Sequence, residues 1–134
     1  MSKNNLIEVG FKKQVQPVRI AGLDFGIKTG KKYRDQYLSE LPKMLEVIQE
    51  QEKIIKTASE SGDYEAIVEA NKKVESVAKD VIDLVLGEGA FDKLMDAADD
   101  EIDLVVGAFL EVADQYKKLQ TKQKAQSYID GKKK

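Results

Sequence analysis

The hydrophobic period of the chain changes once, and the change divides it in two. Over residues 15–27 the apolar positions are Val15, Val18, Ile20, Leu23, Phe25 and Ile27, and the last three alternate with Asp24 and Gly26. Alternation among β-branched and aromatic residues predicts strands with one buried face. Ala21-Gly22 lies between the two runs and predicts a two-residue hairpin turn. Pro17 fits the start or edge of the first strand, where no ladder donor is required. A lone hairpin is marginal in water, so this one is expected to pack on helices or on another subunit.

From Ser39 the period becomes helical. Ser39 suits an N-cap, which sets Pro42 in the first turn, where its missing N–H costs nothing. Leu41, Leu45, Ile48 and Ile55 then fall on one face, with Val47 and Ile54 beside it. This helix is expected to end between Ser59 and Gly62, and Asp63 to cap the next. There Ile67, Val74 and Val81 recur at sevens, and Ala70, Val77 and Leu84 each follow three residues later. That a/d pattern is a packing seam. The connection is short, so an antiparallel helical hairpin within the chain is the economical way to cover it.

Gly87-Glu88-Gly89 stops the second helix. Ala90 to Ala98 makes a short helix with Phe91, Leu94 and Met95 on one side. Asp99 or Asp100 is then expected to cap a last helix through Ile102, Val105, Val106, Phe109, Ala113, Tyr116 and Leu119. Acidic residues in its opening turn match the positive end of the helix dipole. Beyond Gln120 the sequence TKQKAQSYIDGKKK has no apolar face to bury and is expected to fray.

The fold class that follows is mainly α: a helical bundle of three principal helices plus one short helix, with a small N-terminal β-hairpin. At 134 residues the chain reads as a single domain. An arm and hairpin occupy 1–32, the bundle 33–119 and a flexible basic tail 120–134. No apolar run approaches the roughly 18 residues of a membrane helix. The start MSKNNLIEVGFKK has no apolar stretch of signal-peptide length, so a cytoplasmic protein with no membrane partner is expected.

Charge alters this picture by its distribution. The formal net charge of −2 conceals about +6 over residues 1–34, −14 over 35–116 and +6 over 117–134. Basic ends flank an acidic middle, an arrangement that lets the ends of one copy meet the middle of another and so favours self-association. Nucleic acid is a poorer fit as main partner. The chain has only Arg19 and Arg34 as arginines, without a basic face interleaved with aromatics.

Candidate chemistry adds little. The chain has no His, no Cys and no Trp, which removes the commonest general base and any thiolate site. Asp99, Asp100, Glu101 and Asp103 are the densest acidic cluster, but they lack the spaced oxygen ligands and Gly turn of a calcium loop. In LDFGIKTGKK, Gly26 and Gly30 are three residues apart and Lys32 replaces the hydroxyl, so the phosphate-loop pattern fails. The Asp24-Phe25-Gly26 triplet has no other kinase motif beside it. These readings favour a protein that is not an enzyme and uses no metal or cofactor.

Tyr33, Tyr37, Tyr64, Phe109 and Tyr116 lie on or near apolar helical faces, and most of them read as core aromatics. Phe91 is singled out because it follows a forced bend on a helix too short to bury much by itself. Phe91, Leu94 and Met95, set at an angle by Gly87 and Gly89, are the candidate partner-binding residues. On that reading Phe91→Asp abolishes partner binding and leaves helicity intact.

The IAGLDF turn at Ile20–Phe25, the order of helices after it and the step LVLGEGAFDKLM at Leu84–Met95 carry a family likeness over roughly residues 18–118. In these the chain resembles the small tail assembly chaperones of long-tailed bacteriophages and prophages of Gram-positive bacteria. The arm from Met1 to Gln16 and the basic run Lys31 to Arg34 depart from the compact start of that family. The resemblance implies a non-enzymatic protein of the bacterial host cytoplasm. Its partner would be the tape measure protein, kept soluble until tail tube protein polymerises around it. The tail tube protein is then a second candidate partner. Members are often made in two forms, the longer by ribosomal frameshifting, and Lys132-Lys133-Lys134 is compatible with an adenine-rich codon run. A structural head–tail connector and a small nucleic-acid-binding regulator are the alternative functions.

Overall fold

A computed structural model describes residues 5–11 and 14–132, with side chains described through Thr121. The order of elements is β1 (Val15–Ile20), β2 (Leu23–Lys28), α1 (Lys31–Ser61), α2 (Tyr64–Leu86), α3 (Ala90–Ala97) and α4 (Ile102–Lys132). The protein is mainly α with an N-terminal antiparallel hairpin, as the periodicity predicts.

The hairpin pairs Ile20 with Leu23, Val18 with Phe25 and Gln16 with Ile27, so these side chains share one face. Ile20 and Ile27 on that face are buried in the main core. The opposite face carries Arg19 bonded to Asp24 at 2.7 Å, an exposed cross-strand pair worth little. The turn residues Ala21 and Gly22 both take positive φ, as the tight loop requires.

α1 and α2 form the predicted antiparallel hairpin. Its turn is Gly62 in the left-handed region, and the Asp63 N–H donates to Ala58 O at 2.9 Å. Asp63 then caps α2 by accepting from the Ala66 N–H at 3.2 Å. On α1 the buried residues are Tyr37, Met44, Ile48, Gln51 and Ala58. On α2 they are Ala70, Val74, Ala78, Val81, Ile82, Val85 and Leu86. The α2 seam therefore steps by four to Ala78 and Val85, while Val77 and Leu84 pack at its margin. α3 folds back at the end of α2, and α4 adds Val105, Val106 and Phe109 to the same core.

Three boundaries differ from the sequence reading. The first helix starts at Lys31, not at Ser39, and Pro42 lies in its interior. Tyr37 explains the early start: it is buried, and its hydroxyl donates to Lys28 O at 2.8 Å, tying the end of β2 to the first turns of α1. That packing offsets the roughly 3 kcal/mol a proline costs inside a helix.

The second difference is at the cap of α4. Asp99 and Asp100 precede the helix with φ of 51° and 64°, and Glu101 O accepts the first bonds, from Leu104 and Val105. The aspartates close α3 instead. The Asp100 N–H donates to Met95 O and the Asp99 N–H to Asp96 O, the paired bonds of a Schellman turn. The third is at the end of the chain, where α4 runs past Gln120 to Lys132. Residues 133 and 134 of the predicted basic tail lie outside the described residues.

Candidate functional site

The step LVLGEGAFDKLM at Leu84–Met95 forms a corner between α2 and α3. Gly87 and Gly89 adopt φ of 110° and 85°, conformations that an L side chain resists. The Gly87 N–H closes α2 on Asp83 O, and the Ala90 N–H donates back to Gly87 O at 3.1 Å. Across the bend, the Asp83 carboxylate accepts from the Phe91 N–H at 2.8 Å. A residue eight positions upstream thus caps a helix that has no cap side chain of its own. Lys79 and Asp92 add an exposed ion pair at 3.5 Å over the same corner.

This geometry corrects the sequence-based site. Phe91 is 6% exposed and Leu94 3%, both inside the main core. Met95 is partly buried against that core, Gly87 is exposed and Gly89 half-buried. The short helix buries its apolar face in the molecule because the glycine bend folds it back onto α2 and α4. Phe91, Leu94 and Met95 therefore form no exposed docking patch, and Phe91→Asp is expected to disrupt the fold.

Exposed apolar side chains gather elsewhere. One group lies along α1, where Leu38 is 74% exposed and Leu45 37%, with Leu41 between them half-buried against the core. The sequence reading put Leu45 on one apolar face with Leu41, Ile48 and Ile55. The shift arises because Tyr37, Met44 and Gln51 at sevens mark the true register, and Met44 and Gln51 carry weaker signals than leucine. A second group is at the far tip of the helical hairpin, where Tyr64 and Val68 with Glu65 and Glu69 line a shallow cleft of about 330 Å³. A third is the N-terminal arm, in which Leu6, Ile7, Val9 and Phe11 all face solvent.

Tyrosines mark the junction of α1, α4 and the hairpin. The Gln120 amide donates to the Tyr116 hydroxyl at 2.6 Å. Burial raises the pKa of Tyr37, with smaller contributions from Tyr116 and Tyr33, against the hydrogen bond to Lys28 O. Burial likewise raises that of Tyr116, against nearby Arg34 and the Gln120 contact. Tyr33 lies under the Lys28 ammonium at 5.0 Å and the Lys32 ammonium at 5.8 Å. These are packing contacts between elements. Among the described residues, no group of three or more acidic side chains is placed to hold a metal ion, and no helix is long and apolar enough to cross a membrane.

Comparison with protein-family models, curated proteins and solved structures finds no match to this chain.

Proposed function

We propose that this protein is a tail assembly chaperone that holds a phage tape measure protein soluble during tail tube assembly in the bacterial cytoplasm. The observation that carries the reading is the LVLGEGAFDKLM step. It is the most specific point of the family resemblance, and in the structure it is a built corner that fixes α3 on the bundle. Exposed Leu38 and partly exposed Leu45 on α1 support the same reading. A tape measure presents long amphipathic helices whose apolar stripes aggregate unless another apolar helical surface covers them. Apolar side chains on the outside of a long helix offer such a surface, and many weakly bound copies along one partner would hold it by avidity while remaining removable.

The test is capture of the tagged protein from prophage-induced cells, with mass spectrometry of the eluate and of purified virions. A long helical tail protein in the eluate, with this protein missing from virions, supports the chaperone. Recovery in finished particles overturns it in favour of a structural connector. Leu38→Asp with Leu45→Asp is expected to lower capture of the tail protein by tenfold or more, on the order of a lost anchor cluster. Leu38 is 74% exposed and Leu45 37%, so Leu38→Asp alone is expected to leave the circular dichroism melt unchanged and the double variant to lower it slightly.

A further inference from the structure

The N-terminal arm is the least explained segment of the molecule. Leu6, Ile7, Val9 and Phe11 form an apolar cluster within six residues, and Phe11 is 99% exposed. Scattered exposed apolar residues are ordinary, but four together on an extended arm mark a surface that another body covers. We propose that this arm docks on a second copy of the chain, at the Tyr64–Val68 tip of its α1–α2 hairpin.

Charge selects the tip. Residues 57–70 contain Glu60, Asp63, Glu65 and Glu69 and no Lys or Arg, and all four acids are exposed. The arm itself, residues 1–14, carries Lys3, Lys12 and Lys13 against Glu8, about +2. Opposite potentials of this kind steer encounter and fix register. The tip also has an apolar seat: Tyr64 is 76% exposed beside exposed Val68, in the cleft they share with Glu65 and Glu69. An aromatic and a β-branched residue rimmed by carboxylates match apolar side chains carried on a basic arm.

Reach decides between the chain's own tip and that of another copy. Val15 pairs with Lys28, next to the start of α1, so the arm leaves the molecule at that end. The tip is at the opposite end, about 35–40 Å away along α1 at the helical rise. Phe11 is four residues from Val15 and reaches about 14 Å fully extended, and Leu6 about 30 Å. The four apolar side chains cannot reach the tip of their own molecule, so the contact is between copies. It is also heterologous, with different surfaces on the two partners.

The chain contains no cysteine, which makes the test direct. Phe11→Cys and Val68→Cys are prepared as separate proteins and mixed under mild oxidation, with Phe11→Cys plus Leu104→Cys as the control. Leu104 is more open to solvent than Val68, at 63% against 52%, but lies on α4. The expected result is a covalent pair of the first two that exceeds the control by about tenfold or more, and falls as salt rises from about 0.05 to 0.5 M. By light scattering the unmodified protein is expected to exceed the 15.0 kDa of one chain. Phe11→Asp is expected to weaken that association by about tenfold or more, the scale of a lost aromatic anchor. Its thermal melt at low protein concentration is expected to be unchanged, because Phe11 is almost fully exposed. The proposal is overturned if the protein is monomeric at every concentration, if Phe11→Asp leaves association unaltered, or if Leu104→Cys cross-links as readily as Val68→Cys. All readouts use the purified protein alone, so they stand or fall independently of any tape measure partner.

Discussion

Asp83 holds the corner between α2 and α3 with one hydrogen bond, from the Phe91 N–H at 2.8 Å. Asp83→Ala leaves that donor unmatched and is expected to lower stability by about 1 kcal/mol, while Asp83→Asn retains an acceptor and costs less. Urea unfolding followed by circular dichroism distinguishes the two. The buried aromatic next to it has a larger effect. Phe91→Asp places a carboxylate in the core and is expected to abolish the cooperative transition. Tyr37 and Tyr116 set the alkaline limit. Burial raises both pKa values above 10.0, so the folded state favours the neutral phenol. Their contribution is complete below the unfolded value and is lost as pH rises through the higher folded values. Stability is therefore expected to fall above about pH 10, and phenolate absorbance to show late-titrating groups. Tyr37→Phe removes the hydroxyl bonded to Lys28 O and is expected to lessen that alkaline loss, at about 1 kcal/mol in the neutral range.

At the scale of elements, left-handed residues set where helices end. Gly62 closes α1 with φ of 74°, and Gly62→Ala is expected to cost about 1 kcal/mol without altering any contact. Asp99 performs the same turn at the end of α3 with a side chain attached. Asp99→Gly is accordingly expected to stabilise the protein, by up to about 1 kcal/mol, as read from a shift in the urea midpoint. The two turns also show what was legible. Gly62 followed by a capping Asp is a strong signal, and both ends of that connection fall where the sequence places them. Asp99 and Asp100 read equally well as the cap of α4, since aspartate serves both at helix starts and in left-handed turns. Only the path of the backbone, with Asp100 bonded to Met95 O, assigns them to the end of α3.

At the scale of the whole molecule, the β-hairpin and the bundle share one core. Ile20 and Ile27 are buried in the same cluster as Phe109, Ile82 and Phe91. Ile27→Ala, a change in a strand, is expected to cost about 2–5 kcal/mol. It is expected to lower the midpoint of the helical signal at 222 nm as one transition. A hairpin that unfolded separately would leave that midpoint in place. Charge along the chain is strongly divided, at about +6 over residues 1–34, −14 over 35–116 and +6 over 117–134.

The alternation over Val15–Ile27, the seam of α2 and the Gly87–Gly89 break determine the kinds of element and their order, because period and backbone conformation are local properties. The start of α1 is not local: it depends on Tyr37 meeting the carbonyl of Lys28. The register of α1 likewise depends on Met44 and Gln51 being buried while Leu45 is not, and hydrophobicity ranks those residues the other way. The placing of Phe91 was decided in the same manner. An apolar face on a two-turn helix reads alike whether it is buried or offered to a partner. What buried it here was the angle of a glycine bend and a carboxylate on the preceding helix, and such an angle exists only once α2, α3 and α4 are packed together.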